Sequence, residues 1–452
     1  MDGIRIYRGI NQIGGIVTEF RKGGHRILID FGANLPGTEN AELEDDALVR
    51  QVFADKDPVT DAVLFTHYHG DHVGLRNRIP QGIEMYAGAT ALKIMKLIAE
   101  GADHVKRKKG LTEEYDLPVL ERIKPYWKIG EAKDFHGIKV TPLVCDHSAL
   151  DAYMFIIELN GKRILYTGDF RAHGIPGEET FEKLIKTKVG KTDILITEGT
   201  MVSRLCEEVS NGIRTEAELA RKAAEIFEAH KENVVLVSST NIDSVMSFYN
   251  SVPSDKAFLC DIYQAKVMRI AIEARHRYFP GLYSYRGNIY VLCPDENEYC
   301  MGELRKYVIP HTKRHPFEMA RAGLYSEKGF VMLARVNRDP GSETGRFEKR
   351  LAQMTDPHII YSMWTGYLKD GKAEDPAIVS FLDGRDDAGH MDVIHTSGHA
   401  YVEDLKKLMD MTEPEVIIPM HTESAGNFRE LEQFRDHKDK IEVCRPGEVY
   451  GI

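Results

Sequence analysis

The sequence has 452 residues, of which 42% are hydrophobic and 29% charged, and its formal net charge is −11. These values are ordinary for a soluble globular protein, and the length exceeds the usual size of one compact core, so we predict two lobes. The negative charge excludes a surface coated for indiscriminate binding of polyanions, and no apolar run approaches the ~20 residues that cross a bilayer.

The sequence carries no sign of export. Its six cysteines include no Cys-x-x-Cys pair, and its amino terminus lacks the basic and apolar regions of a signal peptide. We therefore expect a cytoplasmic protein with reduced cysteines and no membrane partner.

The first two hundred residues predict short strands separated by turns. The apolar run at 61–65 predicts a buried strand, and the apolar residues within 89–99 share one face of a helix. Further strands are predicted at 138–144, 153–159, 163–167 and 194–197. These strands lead to His147, Asp169 and Glu198, and α/β enzymes commonly assemble a site from such strand ends.

From about residue 205 helices and strands alternate, which predicts an α/β lobe with a mostly parallel sheet. Thr215 and Glu218 form a capping box that starts a helix reaching about His230. The continuous apolar run at 234–237 predicts a strand buried on both faces. The chain closes with a strand at 391–394, a helix at 402–411, a strand at 416–419 and a helix at 424–435.

The second lobe is predicted to be inserted into the first. No linker rich in proline, glycine or serine separates the two lobes. We assign residues 1–204 and 401–452 to one domain and residues 205–400 to the inserted domain.

The densest chemical signal is the sequence Thr-His-Tyr-His-Gly-Asp-His at 66–72. Because His67 and His69 leave a strand two residues apart, both point to one side, and Asp71 and His72 lie on the turn into a helix beginning near Val73. A motif this dense is rarer than a lone match, so we interpret it as a metal site. The alternative is a polar loop that happens to contain histidines.

Three distant residues complete the predicted ligand set. The ligands are His67, His69 and His147 for one ion, Asp71, His72 and His421 for a second, and Asp169 as a bridge. Five imidazoles and two carboxylates without a thiolate suit two Zn²⁺ ions, with Mn²⁺ as the harder alternative. Each distant residue taken alone is more often structural, and the dense motif strengthens all three.

The hexad at 67–72 resembles the signature of the metallo-β-lactamase superfamily, and His147, Asp169 and His421 match its later ligand positions. Residues 205–400 resemble the β-CASP domain of the nucleic-acid-processing branch. The resemblance implies an α/β fold in which a metallo-β-lactamase αββα sandwich carries an inserted α/β β-CASP lobe.

Three short β-CASP motifs have counterparts in this sequence. Glu198 matches the acidic first motif, His399 the second, and His421 the third, where histidine is usual among RNA-acting members and valine among DNA-repair members. By these motifs the sequence is similar to ribonuclease J and to the archaeal and eukaryotic nucleases that cleave mRNA 3′ ends. The resemblance implies single-stranded RNA as the substrate. We expect no ribonuclease J-type C-terminal domain, and a homodimer is left open.

The chemistry expected from this resemblance is hydrolysis of RNA by a two-metal phosphodiesterase, with a metal-bridging hydroxide as the nucleophile. We predict Asp71, Glu198 and His399 as catalytic residues. His399 would be the general acid, with Glu198 holding its ring and favouring its protonated form. Whether cleavage is endonucleolytic or exonucleolytic is left open.

The family resemblance also implies that His395, Ser397 and the backbone of Gly398 grip a substrate phosphate. The alternative for His399, and more strongly for His395, is a core histidine with a purely structural role.

Three other functions are compatible with part of the sequence. A zinc-dependent hydrolase of small thioesters or esters would use the same ions but would need neither the inserted lobe nor Glu198 and His399. A DNA nuclease of the same superfamily is disfavoured by His421, on family grounds only. A non-enzymatic scaffold subunit would typically have lost some of the ligands.

Overall fold

The fold is described from a computed structural model of the chain. The described residues are 1–38, 41–54, 57–108, 110–111, 115–204, 212–278, 289–292, 317–319, 329–336, 351, 354–368, 374–383 and 389–452, with the backbone alone at 104–105, 108, 275–278 and 317–319.

The chain forms two compact units. The first comprises Met1–Ala172, Pro176–Glu207 and Gly398–Ile452, and the second comprises His173–Ile175 and Glu208–Ser397. The domain boundaries proposed above, after residues 204 and 400, stay predictions.

The first unit contains two sheets. The first sheet has the strand order β20-β1-β2-β3-β4-β5-β6, and the second has the order β19-β11-β10-β9-β8-β7. The bounds of the first sheet are β1 Gly3–Arg8, β2 Val17–Lys22, β3 His25–Ile29, β4 Val59–Leu64, β5 Glu84–Ala87, β6 Ile123–Pro125 and β20 Val449–Gly451. Those of the second are β7 Lys133–Phe135, β8 Ile138–Cys145, β9 Ala152–Leu159, β10 Lys162–Tyr166, β11 Ile194–Glu198 and β19 Val416–Met420.

Apolar side chains fill the space between the two sheets. Ile29 and Leu64 of the first sheet lie in one buried cluster with Phe155 and Ile164 of the second. Burying each such side chain contributes roughly 1.5–3 kcal/mol, so this layer is a main source of the unit's stability. On the other face of the second sheet, Leu165 and Leu195 share a cluster with residues of three helices.

The helices of the first unit are short to medium in length. Their bounds are α1 Asp45–Phe53, α2 Gly70–Val73, α3 Ala89–Lys108, α4 Leu117–Glu121, α5 Gly177–Leu184, α10 Val402–Thr412 and α11 Asn427–Glu430. Phe181 of α5 and Leu405 of α10 belong to the outer cluster of the second sheet, and Leu48 of α1 and Ile94 of α3 are fully buried. The predicted α/β sandwich class is confirmed.

The second unit is built on one sheet with the strand order β15-β14-β13-β16-β12-β17-β18. All pairs among these described strands are parallel, as the alternating pattern predicted. The strands are β12 Glu232–Val237, β13 Ala257–Asp261, β14 Ile289–Leu292, β15 Phe317–Met319, β16 Phe330–Ala334, β17 Pro357–Ser362 and β18 Met391–Val393. The helices are α6 Glu216–Ala229, α7 Ile242–Ser251, α8 Ile262–Tyr278 and α9 Pro376–Leu382.

The predicted capping box starts α6. Oγ1 of Thr215 accepts from the backbone N–H of Glu218, and the Glu218 carboxylate accepts from the backbone N–H of Thr215. Two of the four N–H groups that a helix start leaves unpaired are thereby satisfied.

Two predicted helix boundaries were wrong. The helix in the dense motif begins at Gly70, not near Val73, because the carbonyl of His69 already accepts from the N–H groups of His72 and Val73. The closing helix predicted at 424–435 is broken at Leu431 into α11 and the 3₁₀ segment Glu432–Lys440.

The break has a packing reason. Phe428 and Phe434 are both fully buried, with ring centroids 5.3 Å apart. In a continuous α-helix, residues six positions apart would point in directions about 120° apart. The extended backbone of Leu431 lets both rings enter the same core.

Among the residues described, no helix combines the length and apolar character needed to cross a lipid bilayer.

Candidate metal centre

The predicted ligands of the first unit follow the ends of its strands. β8, β10, β11 and β19 run in the same direction, because β10, β11 and β19 are parallel neighbours and both β8 and β10 are antiparallel to β9. Their carboxyl ends therefore meet at one edge of the sheet. His147 follows β8, Asp169 follows β10, and His421 follows β19. The structure brings all seven predicted ligands together.

Close backbone contact fixes the loop that carries the dense motif. A Cβ added to Gly32 would lie 1.6 Å from the backbone oxygen of Asp71, so only glycine fits at that position. The backbone N–H of Phe31 donates to the carbonyl of His72 at 2.8 Å, and that of Ile16 to Asp71 at 2.9 Å. The short helix α2 is thus held against the strand ends of the first sheet.

Three imidazoles form the first ligand group. Nδ1 of His69 lies 3.0 Å from Nε2 of His67 and 3.4 Å from Nε2 of His147. His67 and His147 are buried and His69 is half-buried. Burial, followed by neighbouring imidazoles, holds the pKa of His67 and His147 well below the usual range. Burial also lowers the pKa of His69, to about 4. Three neutral imidazoles therefore present ring nitrogens to one point, as a cation requires.

The second group combines carboxylates with imidazoles. Oδ2 of Asp71 lies 3.2 Å from Nε2 of His421 and 3.8 Å from Nε2 of His72. Oδ2 of Asp169 lies 3.2 Å from Nε2 of His72, 3.5 Å from Nε2 of His421 and 3.9 Å from Nε2 of His67. Asp169 therefore lies between the two groups, where a bridging ligand would be placed.

The outer ring nitrogens of the ligands are held by hydrogen-bond partners. Nδ1 of His72 lies 2.7 Å from Oδ2 of Asp30, and Nδ1 of His67 lies 3.0 Å from Oγ1 of Thr66. The backbone N–H and the hydroxyl of Thr66 both donate to the Asp30 carboxylate. Such partners fix the tautomer and orientation of a ligating histidine, so Nε2 of His72 and of His67 is directed towards the cluster.

Two further imidazoles are held in the same way. Nδ1 of His147 donates to the carbonyl oxygen of Gly398 at 2.6 Å. Nδ1 of His421 lies 2.8 Å from Oγ1 of Thr200, the residue two positions after Glu198. Each of these histidines therefore also presents Nε2 to the cluster.

Buried atoms of the cluster that lack a hydrogen-bond partner are suited to bind a divalent metal. Oδ1 of Asp169 and Nε2 of His72 are buried and make no hydrogen bond among the described residues. Burial opposes ionisation of Asp169, but His421 and His72 beside it hold its pKa well below the usual range. A buried carboxylate oxygen that accepts no hydrogen bond, such as Oδ1 of Asp169, is costly unless a cation binds it. The donor set, nitrogen and oxygen without sulfur, suits zinc.

Glu198 and His399 form a pair next to this cluster. Nδ1 of His399 lies 3.2 Å from Oε1 of Glu198 and 3.6 Å from Oδ2 of Asp169. The fully buried Glu198 carboxylate also accepts from the backbone N–H of Thr200 and Ala400. Burial disfavours the charged form of His399, but Glu198 and Asp169 outweigh it and raise the pKa. The His399 side chain is 21% exposed, unlike a structural core histidine.

The residues predicted to bind a phosphate are divided between the two units. In the first unit, the carbonyl of Gly398 accepts from His147, and the backbone N–H of Gly398 is the group that would donate to a phosphate. In the second unit, the carbonyl oxygen of Ser397 accepts from Nε2 of His173 at 2.9 Å. His395 also belongs to the second unit. Phosphate binding by His395, Ser397 and Gly398 stays a prediction.

Sequence reasoning missed Asp30, Thr66 and Thr200. Asp30 follows β3 directly, so the strand-end rule that selected Asp169 applies to it equally. Its backbone is left-handed, with φ of 59°, which places its carboxylate beside Thr66 and His72. Thr66 is the first residue of the dense motif, but no pattern in the sequence indicates that its hydroxyl or that of Thr200 holds a histidine.

Two parts of the chain match models of known protein families. Residues 16–225 match the metallo-beta-lactamase superfamily, and residues 389–442 match the Zn-dependent metallo-hydrolase RNA specificity domain. The two ranges include all seven predicted ligands, Glu198 and His399. Residues 16–225, just under half of the chain, are therefore similar to the metallo-beta-lactamase superfamily.

Proteins similar to this chain include RNA-processing proteins. It is 28% identical over 201 residues to cleavage and polyadenylation specificity factor 73 of Drosophila melanogaster, covering 43% of this chain and 27% of that protein. It is 29% identical over 156 residues to endoribonuclease YSH1 of Mycosarcoma maydis, covering 31% of this chain and 17% of that protein. The match thus spans about a quarter or less of these relatives. The predicted resemblance to the nucleic-acid-processing branch is confirmed.

A solved structure has the same fold over the whole chain. A protein of unknown function from Enterococcus faecalis V583 superposes with a TM-score of 0.71, covering 100% of both chains at 19% identity. At this identity the likeness concerns the fold alone.

Proposed function

We propose that the protein is a metal-dependent phosphodiesterase that cleaves single-stranded RNA. The observation that carries the proposal is the Glu198–His399 pair, whose imidazole lies 3.6 Å from the Asp169 carboxylate. Hydrolysis of a phosphodiester needs a proton for the leaving oxygen, and this pair offers one beside the ligand cluster. The RNA specificity match and the endoribonuclease relative support RNA as the substrate.

Two divalent ions, Zn²⁺ or the harder Mn²⁺, are the proposed cofactors. The two donor groups with Asp169 between them support this number. When bound, the ions would lower the pKa of a shared water and neutralise the phosphoryl oxygens. Asp71 would serve as both ligand and catalytic residue, with Oδ2 3.2 Å from Nε2 of His421.

The residues of the pair have distinct tasks in this proposal. Glu198 holds the Nδ1 side of the His399 ring, which leaves Nε2 to deliver a proton to the leaving oxygen. The backbone N–H groups of Thr200 and Ala400 donate to the Glu198 carboxylate, so the carboxylate is oriented before substrate binds. A thioester hydrolase would not need this arrangement, which favours the phosphodiesterase.

The proposal is tested with one RNA sequence labelled at the 5′ end or at the 3′ end, next to single-stranded DNA and a thioester. We expect the metal-loaded protein to cleave only RNA, and product lengths give the cleavage mode, with internal cuts expected from the named endoribonuclease relative. Asp169→Ala and His69→Ala should abolish cleavage while the fold is retained.

A matched control is available in the same unit. His437 is nearly buried and bonds Asp410 at 2.7 Å, and it belongs to none of the ligand groups described. His437→Gln should cleave RNA like the parent protein. Undiminished cleavage by Asp169→Ala, or a preference for DNA or the thioester, would contradict the proposal.

A further inference from the structure

We propose that His25, Asp61 and His136 form a further metal site, separate from the catalytic cluster. It would take a divalent transition metal such as Zn²⁺ and fasten the two sheets of the first unit to each other. The proposal does not depend on the catalytic activity.

The three residues are distant in sequence and meet at one place in the fold. His25 is the first residue of β3, and Asp61 lies in the parallel neighbour β4. His136 lies in the turn between β7 and β8, which belong to the second sheet. The catalytic ligands of the dense motif follow the carboxyl end of β4, whereas this cluster lies towards its amino end. One strand would therefore carry a metal site at each end.

The distances define a compact donor group. Nδ1 of His25 lies 3.1 Å and 3.2 Å from the two carboxylate oxygens of Asp61. Nε2 of His136 lies 3.6 Å from Oδ1 of the same carboxylate. The two imidazole rings are stacked with centroids 3.7 Å apart and planes 13° from parallel. One carboxylate thus faces two imidazoles.

The donor atoms of this group are of the types that bind Zn²⁺ in proteins. Two imidazoles and one carboxylate are a frequent three-residue set for Zn²⁺, with water in the fourth position. An imidazole binds a metal through a nitrogen lone pair that lies in the plane of its ring. The stacked rings must therefore rotate when the ion binds, so that one nitrogen of each ring faces the ion. His136 is 59% exposed, which gives its ring room to turn, whereas Asp61 is 13% exposed and stays fixed in β4.

The expected consequence is a metal-dependent gain in stability. An ion held by His25 and Asp61 on the first sheet and by His136 on the second would restrain the β7–β8 turn. Because such an ion binds the folded state and not the unfolded chain, it raises the melting temperature as its concentration exceeds the dissociation constant. At a hundredfold excess, the rise is about 5 °C for a unit of this size.

The test counts metal ions and does not require cleavage. The chelator-stripped protein is dialysed against Zn²⁺, and bound zinc per chain is measured for the parent, His25→Gln, His136→Gln and the control His437→Gln. We expect the parent and the control to bind one equivalent more than either site variant. RNA cleavage should be the same in all four proteins, because none of the changed residues belongs to the catalytic cluster.

A second measurement distinguishes an ion that links the two sheets from a simple hydrogen bond between His25 and Asp61. The zinc-dependent rise in melting temperature should be smaller by about 5 °C in His136→Gln than in the control. Equal zinc counts in parent and both variants would overturn the site. An extra equivalent without a difference in melting temperature would overturn the fastening role. Circular dichroism establishes that each variant is folded, and His136 is exposed enough to be replaced without disturbing the core.

Discussion

Nδ1 of His72 donates a hydrogen bond to Oδ2 of Asp30 at 2.7 Å, across 42 positions of the sequence. Both side chains are fully buried. The bond fixes the imidazole with Nε2 towards Asp71 and Asp169, so a residue outside the ligand set determines how one ligand is presented.

Replacing Asp30 should therefore weaken metal binding. In Asp30→Asn the side chain keeps its size but loses the charge that orients His72, and we expect the metal affinity to fall about 10–100-fold. Competition with a chelator of known affinity measures the change.

Asp103 provides the control for this prediction. It is also a buried aspartate, and its carboxylate accepts from the backbone N–H groups of Asp116 and Leu117. Asp103→Asn should lower stability without changing metal affinity. Equal affinities of the two variants would contradict the role assigned to Asp30.

Thr200 connects the metal centre with the proposed acid. Its Oγ1 lies 2.8 Å from Nδ1 of His421 and 3.3 Å from Nδ1 of His399. Thr200→Val preserves the shape and removes the hydroxyl, so we expect about a tenfold loss in metal affinity and a larger loss in cleavage rate. Thr200→Ser should restore both.

The buried Thr192 separates the hydroxyl's role from simple packing. Its Oγ1 has no hydrogen-bond partner among the described residues. Thr192→Val should leave metal affinity and cleavage unchanged. If Thr200→Val and Thr192→Val behave alike in a chelator competition, the Thr200 hydroxyl does not orient His421.

A buried carboxylate should stabilise the second unit. Glu216 accepts hydrogen bonds from Oγ of Ser244 at 2.8 Å, from Oγ of Ser247 at 2.8 Å and from Oγ1 of Thr396 at 2.7 Å. Glu216→Ala leaves three buried hydroxyls without this acceptor, so we expect the free energy of unfolding to fall by about 3 kcal/mol. Urea unfolding measures the loss.

The same helix offers an exposed control for Glu216. Glu228 lies in α6 and is exposed, so Glu228→Ala should change the free energy of unfolding by less than about 0.5 kcal/mol. Because Thr396 lies between His395 and Ser397, Glu216→Ala should also weaken RNA binding if those two residues grip the substrate. A variant as stable as Glu228→Ala would show that the three hydroxyl bonds contribute little.

The predicted ligands could be recognised in the sequence to the extent that they are adjacent or follow strands. His67, His69, Asp71 and His72 are recognisable because they are neighbours. Asp169 is recognisable because it follows a strand in a chain that also carries the dense motif. Asp30 ends a strand just as clearly, but its partner His72 lies 42 residues away, so its purpose depends on the pairing of β3 with β4.

Thr200 shows the other limit of sequence reasoning. Its hydroxyl acquires a role only because β11 and β19, far apart in the chain, pair side by side and bring His421 next to it. Threonine is common after strands, and no local pattern distinguishes one that holds a ligand. Similarly, the position of the helix start at Gly70 follows from the hydrogen bonds of His69 and from the backbone contact with Gly32, which a one-dimensional pattern does not contain.

The Glu198–His399 pair should act as a unit. His399→Gln should slow RNA cleavage about 10²–10⁴-fold, the usual contribution of a general acid, and Glu198→Gln should cause a comparable loss. Because each residue acts through the other, the double variant should be little slower than the worse single variant. Metal content should be unchanged in His399→Gln, because the proposed role of this residue is to donate a proton and not to bind an ion.

That last measurement decides between two roles for His399. Its ring also lies with Asp169 and His421 in a group whose ligand atoms are all within 4.8 Å of one another, so the geometry alone would permit it to bind a metal. If His399→Gln loses an ion that His437→Gln retains, His399 is a ligand and the acid must be sought elsewhere. If the ion is retained while cleavage collapses, and the loss is not additive with Glu198→Gln, the proton-donating pair is established.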